Sequence, residues 1–208
     1  GTVTDAATSL TWQKADSGRP MDWPAALRYA ETLELAGHDD WRLPNAKKLQ
    51  IMVDYGHAPD ATDPTKCAPA IDPVFQVTDP KSWCWTSTTH VETAGAYYVA
   101  FGRATSMMKV RGEQVNAHGA GAVRSDPKTG DPGRWPGGLG PQKDEIRILK
   151  YVRCVRGEPV ELVFEGPALR PQQAGQGGEG AGFIRRLDKD DDGFLEADEA
   201  PDGPPQGR

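Results

Sequence analysis

Apolar and polar positions alternate at the start of the chain and then change to a helical spacing. The β-prone runs at residues 2–4 and 10–12 flank a polar stretch at 5–9, which predicts an opening β-hairpin. The apolar residues that follow recur every three or four positions, as on one face of a helix. They are Trp23, Ala26, Leu27, Ala30 and Leu33.

Capping residues predict where two helices begin and end. Asp22 can cap the first helix, Pro24 fits its first turn, and Gly37 is expected to end it. Asn45 can cap a second, shorter helix that ends near Gly56. The residues that this second helix is expected to turn inward are Leu49, Met52 and Val53.

Beyond residue 56 the pattern favours β-structure. Residues 82–88, 96–101 and 146–155 are rich in aromatic and β-branched side chains, which predicts three strands, and 160–164 is a candidate for one more. The stretch 112–141 holds 8 Gly and 4 Pro, so it is predicted to be a long irregular loop.

Composition and charge exclude several classes of protein. The 24 Gly and 18 Pro have no three-residue period, which excludes collagen. The sequence contains no run of 18 apolar residues, so it predicts no membrane-spanning helix. Residues 1–156 carry 19 basic and 18 acidic side chains, whereas 157–208 carry 5 and 12. The acidity therefore belongs to the tail, and this distribution argues against a nucleic-acid partner.

Three cysteines, Cys67, Cys84 and Cys154, leave their pairing open. Their spacing matches no CxxC or Cys/His metal motif. Three different single disulfides are conceivable, each leaving one free thiol, and three small buried thiols are an equally acceptable interpretation.

The segment 103–143 carries the candidate ligand-binding surface. It has seven basic and three acidic side chains before residue 144, a net charge of +4. Arginine and lysine bind sulfates and carboxylates, and an aromatic face stacks on a sugar ring, so an anionic glycan would fit. The alternative is a solvated loop whose charges serve solubility. The candidate residues are Arg103, Lys109, Arg111, His118, Arg124, Arg134 and Trp135.

Residues 188–199 read D-K-D-D-D-G-F-L-E-A-D-E, which resembles the calcium loop of an EF-hand. Gly193 permits the sharp turn at position 6 of that loop. The prolines at 201, 204 and 205 leave little room for an exiting helix, so a lone hand would bind Ca²⁺ weakly. An acidic tail that never folds is the alternative. The expected Ca²⁺ ligands are Asp188, Asp190, Asp192, Phe194, Glu196 and Glu199.

Several motifs together resemble one bacterial family. They are G-T-V-T-D at the start, L-T-W-Q at 10–13, A-G-H-D-D-W-R-L-P at 36–44, W-T-S-T-T at 85–89 and Y-V-R-C-V-R at 151–156. The chain is identified on these residues as resembling the Lcl C-terminal-like domain family, named from a collagen-like adhesin. It departs from the family pattern at Ser9, where the family favours Gly.

The resemblance implies an α+β fold of the C-type-lectin-like and formylglycine-generating-enzyme-like kind. Such a fold has two helices, small twisted antiparallel sheets and a long irregular loop region, followed here by a short helical calcium-loop tail. We therefore expect a domain at 1–165, a flexible Gly/Pro/Gln linker at 166–182 and the EF-hand-like segment at 183–208.

Within the A-G-H-D-D-W-R-L-P motif, Arg42 is expected to act as a latch. Its planar guanidinium could pair with Asp39 or Asp40 or bind carbonyls at a helix end, while Trp41 and Leu43 are buried beside it.

The expected function is extracellular or cell-envelope binding or adhesion, without catalysis, in a secreted, periplasmic or cell-surface protein. The expected partners are an anionic glycan or a surface protein, or a second copy of the chain. The alternatives are a structural subunit of a surface filament and a copper- and thiol-dependent oxidase using Cys84 and Cys154. C-type lectins that hold sugar through Ca²⁺ carry Glu-Pro-Asn or Gln-Pro-Asp triplets, and neither occurs here.

Overall fold

The described part of the chain contains two helices and small antiparallel sheets, with irregular segments between them. The computed structural model describes residues 1–90, 94–110 and 112–158. The two helices and the small antiparallel sheets were expected, and they are consistent with the α+β class. The helices are α1 Trp23–Glu31 and α2 Ala46–Gln50, and the strands are β1 Thr2–Thr4, β2 Thr11–Gln13, β3 Trp83–Thr89, β4 Gly95–Ala100, β5 Lys109–Val110, β6 Glu113–Gln114, β7 Val123–Pro127 and β8 Val155–Arg156.

The first sheet joins the beginning and the end of the domain in the order β1-β2-β8, with both pairs antiparallel. Val3 and Val155 both face Trp12 across the ladders. The opening hairpin is therefore confirmed, and β2 acquires its second neighbour from more than 140 residues away.

The second sheet has the order β3-β4-β7 and forms the centre of the domain. Strand β7 lies inside the stretch 112–141, so the prediction of a loop throughout that stretch is wrong. The Gly and Pro residues lie mostly outside 123–127, and this short segment completes the edge of β4 with Tyr98 opposite Arg124. A second departure is β6, which pairs with β5 in a small hairpin.

The predicted strand at 146–155 is mostly wrong, because only its last residue belongs to a strand, β8. The segment instead makes isolated bridges that pair Lys150 with Met21, Tyr151 with Cys84 and Val155 with Arg42. A continuous ladder needs one neighbouring strand, whereas this segment contacts three different parts of the chain in ten residues.

Both predicted helix caps are confirmed. The Asp22 carboxylate accepts from the Ala25 backbone N–H at 2.9 Å, and the Asn45 side-chain oxygen accepts from that of Lys48 at 2.8 Å. Both helices end earlier than predicted. The Thr32 hydroxyl donates to a carbonyl of the last turn of α1 at 2.8 Å, and α2 ends at Gln50 instead of near residue 56.

Two clusters of buried side chains form the core. One packs Trp41 and Leu43 with Trp83, Trp85 and the inner face of α1, which confirms the predicted burial of the first two residues. The other gathers residues of β2, α2 and the reverse face of the central sheet, and its members include Trp12, Leu49, Cys84, Val99 and Phe101.

Arg42 is a latch, but the predicted carboxylate partners are wrong. Its guanidinium donates to the Gly157 carbonyl at 2.6 Å and lies 3.8 Å from the Glu158 carboxylate. Asp40 instead accepts from Arg156 at 2.7 Å. Both contacts tie the W-R-L-P motif and the Asp40 before it to the segment that contains strand β8. The Arg42 backbone adds to this connection by exchanging two hydrogen bonds with Val155.

Ser9 adopts a left-handed backbone conformation, with φ of +59°. This conformation strains every residue except Gly, which explains the family preference at this position.

We expect Ser9→Gly to raise the free energy of unfolding by about 0.5–1 kcal/mol, as measured by urea denaturation. Ala6→Gly, in the same turn at an ordinary φ, should lower the free energy of unfolding. Equal effects of the two changes would show that the backbone at Ser9 is not strained.

Candidate functional site

A groove runs along strand β7 and consists of two adjoining hollows of about 320 and 430 Å³. The hollows share His90, Ser125 and Leu139 in their walls. We call it the β7 groove. Its polar and aromatic wall residues include His90, Tyr97, Arg124, Ser125, Arg134, Trp135 and Asp144.

The central sheet positions one wall of the β7 groove. Successive residues of a strand point to opposite faces, so Tyr98 is buried in the core while Tyr97 is only half-buried and lines the groove. Ser125 lies opposite Tyr97 in the ladder, and its hydroxyl is 3.3 Å from Nδ1 of His90. The His90 ring meets the Tyr97 ring edge-on, with centroids 5.3 Å apart.

The other wall is formed by Arg134 and Trp135. A single 3₁₀ turn, Pro132–Arg134, presents them, and the Asp131 carboxylate caps it by accepting from the Gly133 backbone N–H at 2.8 Å. The Arg134 guanidinium lies 5.7 Å from the centre of the Trp135 ring. Arg134 is exposed and makes no ion pair with any residue in the described ranges.

Arg124 and His118 converge on one carboxylate, that of Asp144. Nε2 of His118 lies 2.6 Å from one carboxylate oxygen, and both Nε and Nη2 of Arg124 donate to the other, Nε at 3.1 Å. Asp144 thereby compensates the charge of Arg124 at the groove wall. Burial raises the pKa of the Asp144 carboxyl, but the hydrogen bonds from His118 and Arg124 outweigh it, so the net pKa lies below the ordinary 3.8.

This network predicts a pH dependence of stability. A carboxyl with a lowered folded-state pKa contributes stability that is present above its unfolded pKa and lost as the pH falls through the folded value. We expect Asp144→Asn to be less stable than the wild type near pH 7, with the difference persisting down to the ordinary pKa of 3.8 and shrinking as the pH falls further, through the lowered folded-state pKa. Urea denaturation near neutral pH and below the ordinary pKa measures this; an unchanged difference would contradict the ionised network.

The remaining predicted ligand residues lie away from the β7 groove or outside the described residues. Arg103 pairs with Asp60 at 2.6 Å and lines a separate hollow of about 420 Å³ with Arg147. Lys109 is exposed on β5, and Arg111 lies outside the described residues. The structure thus brings together Arg124, Arg134 and Trp135, with His118 behind Asp144.

Sequence reasoning missed His90, Tyr97 and Ser125. Alternation in β4 places Tyr97 on the face opposite Tyr98, but it does not predict exposure, because Val99 on the face of Tyr97 is fully buried. His90 and Ser125 carry no local signal, because they are 35 residues apart and meet only through the sheet.

The three cysteines all lie in the described part and are free thiols. Burial raises the pKa of both Cys84 and Cys154 to about 12. Both are therefore protonated at neutral pH, and a thiol is a far weaker metal ligand than a thiolate. Among residues 1–90, 94–110 and 112–158, no group of three or more His, Cys, Asp or Glu side chains could hold a metal ion.

The calcium ligands predicted in the tail, residues 188–199, lie outside the described residues, as do the linker and the candidate strand at 160–164. Within the described ranges, no helix has the length and apolar character needed to cross a membrane.

The comparisons with known proteins place the chain in one family. No curated protein and no solved structure matches it significantly. The family model described as the Lcl C-terminal domain matches residues 1–122, which ends one residue before β7. Strand β7 and the wall of Arg134 and Trp135 therefore lie beyond the matched range, whereas His90 and Tyr97 of the groove lie within it. Because the match covers more than half of the 208 residues, the chain belongs to the Lcl C-terminal domain family, which indicates a surface-associated bacterial module.

Proposed function

We propose that this domain is a surface binding module that holds an acidic saccharide in the β7 groove. The observation that carries the proposal is the pair Arg134 and Trp135 at the edge of the 430 Å³ hollow. Trp135 offers a ring face for a sugar, and Arg134 keeps an uncompensated charge for a sulfate or carboxylate. Arg124 plays a smaller part because Asp144 already binds it.

Polar groups on the opposite wall support the same ligand class. The Ser125 hydroxyl and the His90 ring, 3.3 Å apart, give this wall hydrogen-bonding character, and Tyr97 adds a second aromatic surface. Mixed aromatic and polar walls are typical of sites that bind a ring with an apolar face and a polar edge.

Retention on heparin, with dextran as the uncharged reference, tests this proposal. We expect Trp135→Ala and Arg134→Glu each to weaken heparin binding about tenfold or more, which corresponds to about 1.4 kcal/mol. Arg28→Glu is the matched control, since Arg28 is exposed on α1 and its reversal changes the net charge equally. Equal losses in Arg134→Glu and Arg28→Glu would show non-specific charge attraction and overturn the site.

The proposal extends to the finer fold and to the tail. We assign the domain to the C-type-lectin-like group because it has two helices, two three-stranded antiparallel sheets and long segments between strands.

We assign Ca²⁺ binding to residues 188–199, on their match to the EF-hand loop, with the ion ordering the tail and not holding the sugar. Circular dichroism of the full chain with Ca²⁺ and with a chelator should differ; identical spectra would refute the calcium role.

No catalysis is proposed. The copper and thiol alternative needs two reactive thiolates, and the burial of Cys84 and Cys154 disfavours that form. A filament subunit, the other alternative, would polymerise as its concentration rises, which sedimentation measures. It would show no saturable binding to heparin.

A further inference from the structure

Lys150 and Asp126 form an ion pair in the interior of the domain. Nζ of Lys150 lies 2.7 Å from a carboxylate oxygen of Asp126, and the two side chains are 0% and 1% exposed. Fully buried lysine is rare in proteins, and removing two charges from water costs several kcal/mol per ion. Asp126 also lines the 430 Å³ hollow of the β7 groove, but neither residue is among the groups proposed above to contact the saccharide.

Aromatic rings enclose the amine. Nζ of Lys150 lies 3.7 Å from the centre of the Trp85 ring, 4.6 Å from that of Tyr98 and 5.7 Å from that of Trp83. The Trp83 and Tyr98 rings are themselves stacked at 4.7 Å, which makes the enclosure rigid. Burial away from water favours the neutral forms of both partners, whereas the ring faces attract the ammonium form of Lys150.

The protonation tendencies agree with this enclosure. Burial lowers the pKa of Lys150 to about 8, against the opposing effect of Asp126. Burial also raises the pKa of Asp126 above its ordinary value, although Lys150 acts in the opposite direction. Transfer of one proton from the ammonium to the carboxylate gives a neutral amine beside a neutral carboxylic acid. The amine nitrogen is then a nucleophile, and the carboxyl carbon is the electrophile that it can attack.

The backbone of Arg147 fixes the two groups against each other. Its N–H donates to Oδ2 of Asp126 at 3.1 Å, and its carbonyl accepts from Nζ of Lys150. The N–H therefore holds Oδ2, the oxygen that receives the proton from Nζ and later leaves, and the carbonyl is positioned to hold a proton of the amine. Groups held in this way react with effective concentrations on the order of 10⁵ M or more.

We propose that Lys150 and Asp126 condense without a cofactor to an intramolecular amide bond between Nζ and Cγ. The nitrogen lone pair attacks Cγ, and the bond from Cγ to the hydroxyl oxygen breaks. That oxygen leaves with two hydrogens as water, one from the carboxylic acid and one from the amine. No oxidation or reduction takes place, and the aromatic enclosure shields the product amide from hydrolysis.

The amide would close a covalent ring around residues 126–150. This segment carries the Arg134 and Trp135 wall of the β7 groove and the Asp144 carboxylate. Its two ends would then be joined permanently, so the wall would keep its anchorage even when other contacts of the domain are lost. The inference stands on the buried pair alone and does not depend on saccharide binding.

Intact mass spectrometry of the full chain tests the proposal. The protein is incubated folded at neutral pH, then denatured and weighed, and we expect a mass lower than that of the linear chain by one water molecule. Trypsin should release one branched peptide that joins residues 125–128 to residues 148–153, because the amide blocks cleavage after Lys150. The linear mass after incubation would overturn the proposal.

A matched variant and the peptide map separate this bond from other losses of water. Lys150→Arg keeps the charge but presents no primary amine, so it should show the linear mass; should it fail to fold, the wild-type mass and peptide map still decide the question. The Asp-Gly sequences at 192–193 and 202–203 can also lose water by forming succinimides. Dehydration found there, with residues 125–128 and 148–153 unlinked, would equally overturn the proposal.

Discussion

Replacing Trp85 by alanine is expected to lower the free energy of unfolding by about 3–5 kcal/mol. The ring is 0% exposed and packs edge-on against Tyr98, with centroids 6.5 Å apart. Its indole N–H donates to the Met21 carbonyl at 3.0 Å, so the change also removes one buried hydrogen bond, although that carbonyl still accepts from the Lys150 backbone N–H at 2.9 Å. Urea denaturation followed by circular dichroism measures the effect.

Tyr55→Ala is the control for this change. Tyr55 is a large aromatic residue, but 69% of it is exposed, so its removal should change stability by about 0.5 kcal/mol or less. Comparable losses for the two variants would contradict the assignment of Trp85 to the core.

Replacing Arg153 by methionine is expected to lower the free energy of unfolding by about 3–5 kcal/mol, because three hydrogen bonds from a buried charged group are lost although the new side chain is apolar and of similar length. The Arg153 guanidinium donates to the carbonyls of Gln13, Lys14 and Gln76 at 2.8, 2.5 and 2.9 Å. Arg153 is 1% exposed, and methionine would remove all three of these buried hydrogen bonds, although backbone N–H groups still reach the Lys14 and Gln76 carbonyls at 2.9 and 3.3 Å. The free energy of unfolding from urea denaturation measures the loss.

The matching control is Arg28→Met on the exposed surface of α1, which should change stability by about 0.5 kcal/mol or less. An equally small effect of Arg153→Met would mean that other donors satisfy the three carbonyls, and the role of Arg153 as a bridge between residues 13–14 and Gln76 would be wrong.

Signals that are local in the sequence predicted the local structure correctly. The Asp22 and Asn45 caps lie three residues before the backbone N–H groups that they bind, so sequence spacing alone identifies them. The opening hairpin is equally local. The ends of the helices were not predictable, because neither α1 nor α2 continues to the glycine that the pattern offered as a stop.

Structure that depends on distant partners was predicted poorly. Strand β7 is five residues long in a Gly- and Pro-rich stretch, and it exists because β4 offers it an edge. The opposite error occurred at 146–155, where a strongly β-prone run forms only scattered bridges, because its partners at Met21, Cys84 and Arg42 belong to different elements. Intrinsic preference for strands is a weak guide in both situations.

The candidate site divides in the same way. Arg134 and Trp135 are neighbours in the sequence, and both line the β7 groove. The compensation of Arg124 by Asp144 was not predictable, because the two residues are 20 positions apart and no periodic pattern relates them. Counting charges in the 103–143 segment therefore overestimated the cations that are open to a ligand.

The order of the first sheet determines how the domain carries mechanical load. Strands β1 and β8 flank β2 and run parallel to each other, and their register places Thr2 level with Gln13 and Arg156 level with Thr11. Tension applied between residues 1 and 158 would pull β1 and β8 in opposite directions along the strand axis. The hydrogen bonds of this sheet would then be strained in shear and together, while the central sheet and the β7 groove would bear none of the force directly.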